Sequence, residues 1–434
     1  MSFSAVPALR RYCVLFGMAL LLLPVLAPAA RAVPTVGDAG SRVIIPTPAP
    51  AVLADFQAQR HFSERNLPAV VAAAEAVAKR MVAHPKALIN VPYGEQQTFA
   101  EEVLNRAGGL ANALPTIERP QMATPDDVAL LAVRAWEVDG PKMLKLMADY
   151  KKQGWMIVLF ASKQGLPKDA PYDYLIDNGG GAGKDDSAMN TVANVLNAWV
   201  WTCEYTAAMT RLGKYPGILQ SMVVNGSEQH NGFMQSREGR LFQGESTLPI
   251  PAGELAGVYF RRVDLMLAQL LTTTTQTQIN TAAALIAERL KAGKTVITSS
   301  CEHFLLSDIF NDNKTPWKPV NVVWHAKDAF KQNVKEGDII VFFGYIGLST
   351  VSEDYAKFMR ETQADIIASY IPDWDNPANN ANEGLVVIEQ HWRKGDGEVH
   401  LPFAPGLVAP VSGLEGALIF RMLDDAAAAK LAAK

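Results

Sequence analysis

Apolar and polar positions along this chain follow two rhythms. Apolar residues recur every three or four positions in stretches ending at Ala78-Lys79-Arg80-Met81-Val82-Ala83 and Ala287-Glu288-Arg289-Leu290-Lys291-Ala292. That spacing predicts amphipathic helices. Each leads into a short β-like run, Lys86-Ala87-Leu88-Ile89-Asn90 and Lys294-Thr295-Val296-Ile297-Thr298. A second strand is predicted within Asp126 to Val133 and again within Gly337 to Phe343. After a further helix, a third is predicted within Trp155 to Phe160 and Ala364 to Ser369. These strands are continuous apolar runs rather than alternating ones, the pattern of parallel strands buried on both faces. Matching segments lie 209 to 211 residues apart. The sequence therefore predicts an α/β protein: two tandem three-layer αβα sandwich domains related by internal duplication.

The ends of the chain read differently. Residues 1–32 have the layout of a signal peptide: Arg10 and Arg11, an apolar run from Tyr12 to Leu26, and Ala30-Arg31-Ala32 as a cleavage site. The expectation is cleavage after Ala32 and a periplasmic or secreted protein with no membrane span once the signal is removed. Residues 33–53 read as a flexible leader, 54–217 as the first domain, 218–251 as a polar connector and 252–423 as the second domain. Residues 424–434, rich in Ala and Lys, read as a frayed tail. A helix from Leu255 to Leu271 opens the second half, and one from Ser187 to Met209, carrying Trp199, Trp201 and Cys203, closes the first.

Composition narrows the function. With 49% apolar residues, disorder is excluded for most of the chain. A net charge of -4 argues against a nucleic-acid partner, which needs a basic stripe. Of three cysteines, Cys13 lies in the signal, and Cys203 and Cys301 are expected as separate buried thiols. No Cys spacing suits a metal, and no cofactor is expected.

One strand runs into a turn as Glu336-Gly337-Asp338-Ile339-Ile340-Val341-Phe342-Phe343-Gly344-Tyr345-Ile346-Gly347-Leu348-Ser349-Thr350. Together with the tandem layout, it resembles the sugar isomerase (SIS) domain family, in which a Gly-Asp strand runs into a Ser-x-Ser-Gly-x-Thr turn that holds a phosphate. The resemblance covers most of Ala54 to Leu423 as architecture. It implies a flavodoxin-like parallel sheet in each half and phosphosugar binding, as in aldose–ketose isomerases and glucosamine-phosphate synthase. Gly347 matches the motif's Gly and Ser349 its Thr, while Gly344 and Ile346 stand where the two Ser belong. The equivalent stretch of the first half, Val133 to Gly140, has no hydroxyl and carries Glu137 and Asp139. The family pattern thus implies ligand contacts at Tyr345, Gly347, Ser349 and Thr350, with the phosphate site eroded. It also makes Ser412 and Glu415, on the last helix, binding candidates, and His325 a candidate for proton transfer.

Ligands of open parallel sheets sit outside the carboxyl ends of the strands. After the first strand of each half come Tyr93-Gly94-Glu95 and Ser299-Ser300-Cys301-Glu302-His303. Tyr93 and Gly94 would contact a sugar ring. Ser299 and Ser300 would offer hydroxyls at a helix start, or simply cap that helix. Glu302 and His303, with Glu95 and His325, form the candidate acid/base set, since proton shuttling needs groups titrating near neutrality. The glycine run from Gly179 to Gly183 lacks P-loop spacing and reads as a lid or linker. His391 and His400 flank Lys394-Gly395-Asp396-Gly397, which reads as a hairpin turn. Three functions compete: an exported protein binding a sugar or sugar derivative, an active sugar isomerase, and a solute-binding protein or interaction scaffold. A homo-oligomer is compatible with the aromatic-rich helices.

Overall fold

A computed structural model of the chain describes residues 50–93, 96–116, 122–300, 314–319, 334–347, 361–372, 386–402 and 406–433. Two helices open it, α1 (Ala51–Arg65) and α2 (Leu67–Ala83). The first half then runs β1 (Ile89–Val91), α3 (Gln97–Val103), β2 (Ala113–Pro115), β3 (Val128–Ala132), α4 (Trp136–Lys152), β4 (Met156–Ala161), β5 (Tyr174–Asp177) and α5 (Ser187–Arg211). The connector is not plain loop. It holds α6 (Ser227–Met234), α7 (Arg237–Arg240) and β7 (Gln243–Glu245), and β7 pairs antiparallel with β6 (Lys214–Pro216) at the end of the first half. The second half runs α8 (Glu254–Leu270), α9 (Thr273–Lys291), β8 (Val296–Ser300), β9 (Trp317–Pro319), β10 (Ile339–Ile346), β11 (Asp365–Ile371), β12 (Val386–Glu389), β13 (Val399–His400), β14 (Leu407–Val408) and α10 (Ser412–Ala432).

Two five-stranded sheets result, ordered β2-β1-β3-β4-β5 and β9-β8-β10-β11-β12. Every pairing in both is parallel. Read in chain order, each half has the sequence 2-1-3-4-5, the flavodoxin-like order. The α/β class and the parallel sheets agree with the sequence reading. Each half has five strands rather than the three predicted, because the additional ones span only three or four residues.

Burial on both faces explains the continuous apolar strands. Along β3, Val128, Leu130 and Ala132 join the core shared with α2 and α5. Alternate residues Ala129 and Leu131 join a second core with Met143, Met147 and Tyr150 of α4. Helix α5 is buried at every residue from Asn190 to Thr210, and α10 at every residue from Ser412 to Asp424. The C-terminal segment is therefore not frayed at Asp424. That side chain is fully buried and accepts the backbone N–H groups of Lys314 (2.8 Å) and Thr315 (3.1 Å). The helix continues to Ala432 because it packs on α9. Among the described residues, no helix is long and apolar enough to cross a membrane.

Candidate functional site

Three strand ends define the site. Ile346, Ile371 and Glu389 are the last residues of β10, β11 and β12, and all three line a cavity of about 630 Å³. Helix α8 closes one side with Arg262, Leu265 and Met266. The segment after β12 closes another with Gln390, His391, Trp392, Arg393, Lys394 and Glu398. The cavity lies where open α/β sheets take their ligands, and its lining mixes apolar residues with charged and polar ones.

Its ordered chemistry centres on His391. Glu415, in the first turn of α10 and fully buried, accepts the His391 backbone N–H at 3.0 and 2.9 Å. The same carboxylate meets His391 Nδ1 at 2.7 Å. A carboxylate only accepts, so Nδ1 carries a proton and donates in this contact. This fixes the orientation of an imidazole on the cavity wall. Glu398, 4% exposed, is the second titratable group there. Burial pushes its carboxyl up to about 7, with the charges of Asp396 and Glu415 adding to the rise. The Arg393 backbone N–H, at 3.1 Å, and the Arg393 charge act the other way. A carboxyl poised near neutrality beside an oriented imidazole can accept and return protons. Trp392 contributes a ring at 4.3 Å from that of Tyr345.

The sequence candidates fare unevenly. Glu415 reaches the site, as the partner of His391 rather than on the cavity wall. Tyr345 backs Trp392, and its hydroxyl meets Ser221 Oγ at 3.0 Å, so it supports the wall. Gly347 follows β10 with φ 60°, and its N–H bonds Ile371 O at 3.2 Å. Ser299 and Ser300 are the last residues of β8, paired with Phe342 and Phe343, and so stand at the carboxyl end of that strand. Tyr93 packs half-buried against the first core. Gly94, Glu95, Glu302, His303, His325, Ser349, Thr350 and Cys301 lie outside the described residues. Cys203 is a free buried thiol whose pKa burial pushes up.

Two loops also depart from expectation. The turn at Lys394 to Gly397 does not join paired strands; β13 pairs with β14 beyond it. It instead places Asp396 on the buried guanidinium of Arg106, at 2.9 Å. The Gly179–Gly183 run is pinned rather than lid-like. Asn178 Oδ1 accepts Gly180 N–H (2.9 Å), and Asn190 Nδ2 donates to Gly181 O (2.8 Å). At the start of α4, where the first half would hold a phosphate, Asp139 takes Arg134 Nε at 3.0 Å and Glu137 accepts Lys184 N–H at 3.3 Å. The chain's own carboxylates occupy that helix end.

No family model matches the chain, and no curated protein matches it. Solved structures do. A Clostridium novyi NT protein assigned as a tagatose-6-phosphate ketose/aldose isomerase is similar at 9% identity, over 88% of this chain and 89% of that one, with a TM-score of 0.51. The C-terminal domain of glucosamine-fructose-6-phosphate aminotransferase from Francisella tularensis is 9% identical, over 88% and 95% of the chains, at TM-score 0.47. Tagatose-6-phosphate ketose/aldose isomerase from Escherichia coli is 10% identical, over 88% and 92%, at 0.46. At such identity the likeness is one of fold, and the fold is SIS-like.

Proposed function

We propose that this protein is exported and binds a sugar or sugar derivative in the cavity beside His391. The observation that carries the reading is the cavity itself, which sits at the carboxyl ends of three parallel strands with His391 on its wall, held from behind by Glu415. Gly344 and Ile346, in place of the two motif hydroxyls, and the carboxylates of Glu137 and Asp139 in the first turn of α4 both argue for a ligand other than a simple phosphosugar. The proteins of similar fold act on sugar phosphates by name, which supports a sugar as the ligand class. Export rests on residues 1–32 alone and predicts a mature chain beginning at Val33.

Thermal unfolding of the chain from Val33 with neutral, amino, acidic and phosphorylated sugars tests the reading. A bound sugar at a hundred times its dissociation constant stabilises by about 2.7 kcal/mol. Stabilisation that disappears in Trp392→Ala supports the site. No shift with any sugar moves the protein to the scaffold class.

A second reading is proton-transfer catalysis of the isomerase kind. Glu398, raised to about 7, and the oriented His391 favour it. It predicts deuterium uptake from heavy water at the carbon beside the sugar carbonyl, lost in His391→Gln. Glu302 and His303 are the alternative acid/base pair, which Glu302→Gln and His303→Gln test in the same assay.

A further inference from the structure

We infer that the ligand of this cavity carries a carboxylate, which docks on the guanidinium groups of Arg262 and Arg393; the inference rests on the sugar reading above. Arg262 arrives from α8 and Arg393 from the segment after β12, so two separate elements bring their charges to one wall. Their Nε atoms stand 3.6 and 3.5 Å from the same oxygen, Oε2 of Glu398. Both distances exceed a good hydrogen bond. Among the described residues, Glu398 is the one carboxylate ion-paired with either arginine. A guanidinium presents five N–H donors in a planar fork, and one shared oxygen cannot satisfy two forks.

Both arginine side chains remain partly open, at 29% and 42% exposure, whereas Glu398 is sealed beneath them at 4%. The lining adds Lys394, giving three cations against the two carboxylates Glu389 and Glu398. An entering carboxylate would accept in pairs from the forks, the geometry for which arginine is suited. The apolar floor of Leu265, Met266 and Ile346 then meets the ring carbons.

The groups facing Glu398 are Arg262 and the buried Tyr259 from α8, Arg393 and Asp396 from its own segment, and Glu415 from α10. Because burial holds Glu398 near 7, lowering the pH protonates it and leaves both arginines without their counter-ion. Affinity for an anionic sugar should therefore rise from pH 8 to pH 6.

The experiment is calorimetric titration of the whole protein with glucuronate, glucose and glucose 6-phosphate at both pH values. The expected result is a preference for glucuronate that strengthens at pH 6. Arg393→Gln should weaken glucuronate by at least about tenfold and glucose by a clearly smaller factor. Arg393→Lys, which keeps the charge but loses the fork, should fall between. Glucose or glucose 6-phosphate binding as tightly as glucuronate overturns the carboxylate inference and leaves the sugar reading standing. No binding by any of the three overturns both.

Discussion

Glu102 shows what a single buried side chain can impose. It sits on α3 and bonds Arg106 Nη1 at 2.6 Å. Arg106 in turn reaches Asp396 at 2.9 Å and the Ser412 hydroxyl. Two carboxyls and one guanidinium, all fully buried, would leave an excess negative charge in a low dielectric. Burial accordingly pushes Glu102 up to about 8; the Arg106 charge opposes this, and those of Asp396 and Glu101 add to it. At neutral pH it holds a proton that an unfolded chain, with the ordinary value near 4.5, would release. Stability from this group is thus full below about 4.5, falls as pH rises and is lost above about 8. Glu102→Gln, which imitates the protonated form, should flatten that slope; thermal unfolding between pH 5 and 9 measures it. An equal slope in the variant would refute the assignment. The Glu102 carboxyl also packs directly on Gly413, where an added Cβ would collide with Oε1. Gly413→Ala should cost about 1–3 kcal/mol in denaturant unfolding.

At the scale of elements, the strand starts repeat one device. Asp127 precedes β3 and accepts the Leu88 N–H at 3.1 Å, tying β3 to the segment before β1. Asp338 precedes β10 and accepts the N–H groups of Thr295 (2.9 Å), just before β8, and of Lys335 (2.8 Å) in its own turn. Replacing Asp338 with Ala strands two donors and should destabilise by about 3 kcal/mol, read from the denaturant midpoint. Such central strands were legible because they are long, wholly apolar and opened by an acid. The edge strands β2, β5 and β12 have only three or four residues and were missed. Missing β12 hid the site, since the chemically dense run from Gln390 to Glu398 then has no strand end to follow. His391 and Glu415 lie 24 residues apart, and only the fold joins them. Glu415 was reached through the resemblance to SIS domains, whereas Arg262, on a helix of mixed apolar and basic residues, drew no functional reading.

The two halves of the molecule share a core and buried polar contacts. Helix α5 of the first half packs on α8 of the second, and Glu204 of α5 accepts the N–H groups of Gly253 (2.9 Å) and Ala256 (3.2 Å) at the start of α8. Arg106 of the first half fixes Asp396, in the segment that walls the cavity. Both halves carry the same 2-1-3-4-5 sheet order. Neither half has its own complete core, however. Residues 252–434 expressed alone should fail to fold cooperatively, because α8 would lose its buried capping carboxylate and its packing partner. A sharp single unfolding transition for that fragment would contradict this.

The most direct measurement is a crystal structure with the stabilising sugar bound. The account predicts the ring between Trp392 and His391, over the ends of β10, β11 and β12. A sugar seated instead at the start of α4, with the His391 cavity empty, would contradict it.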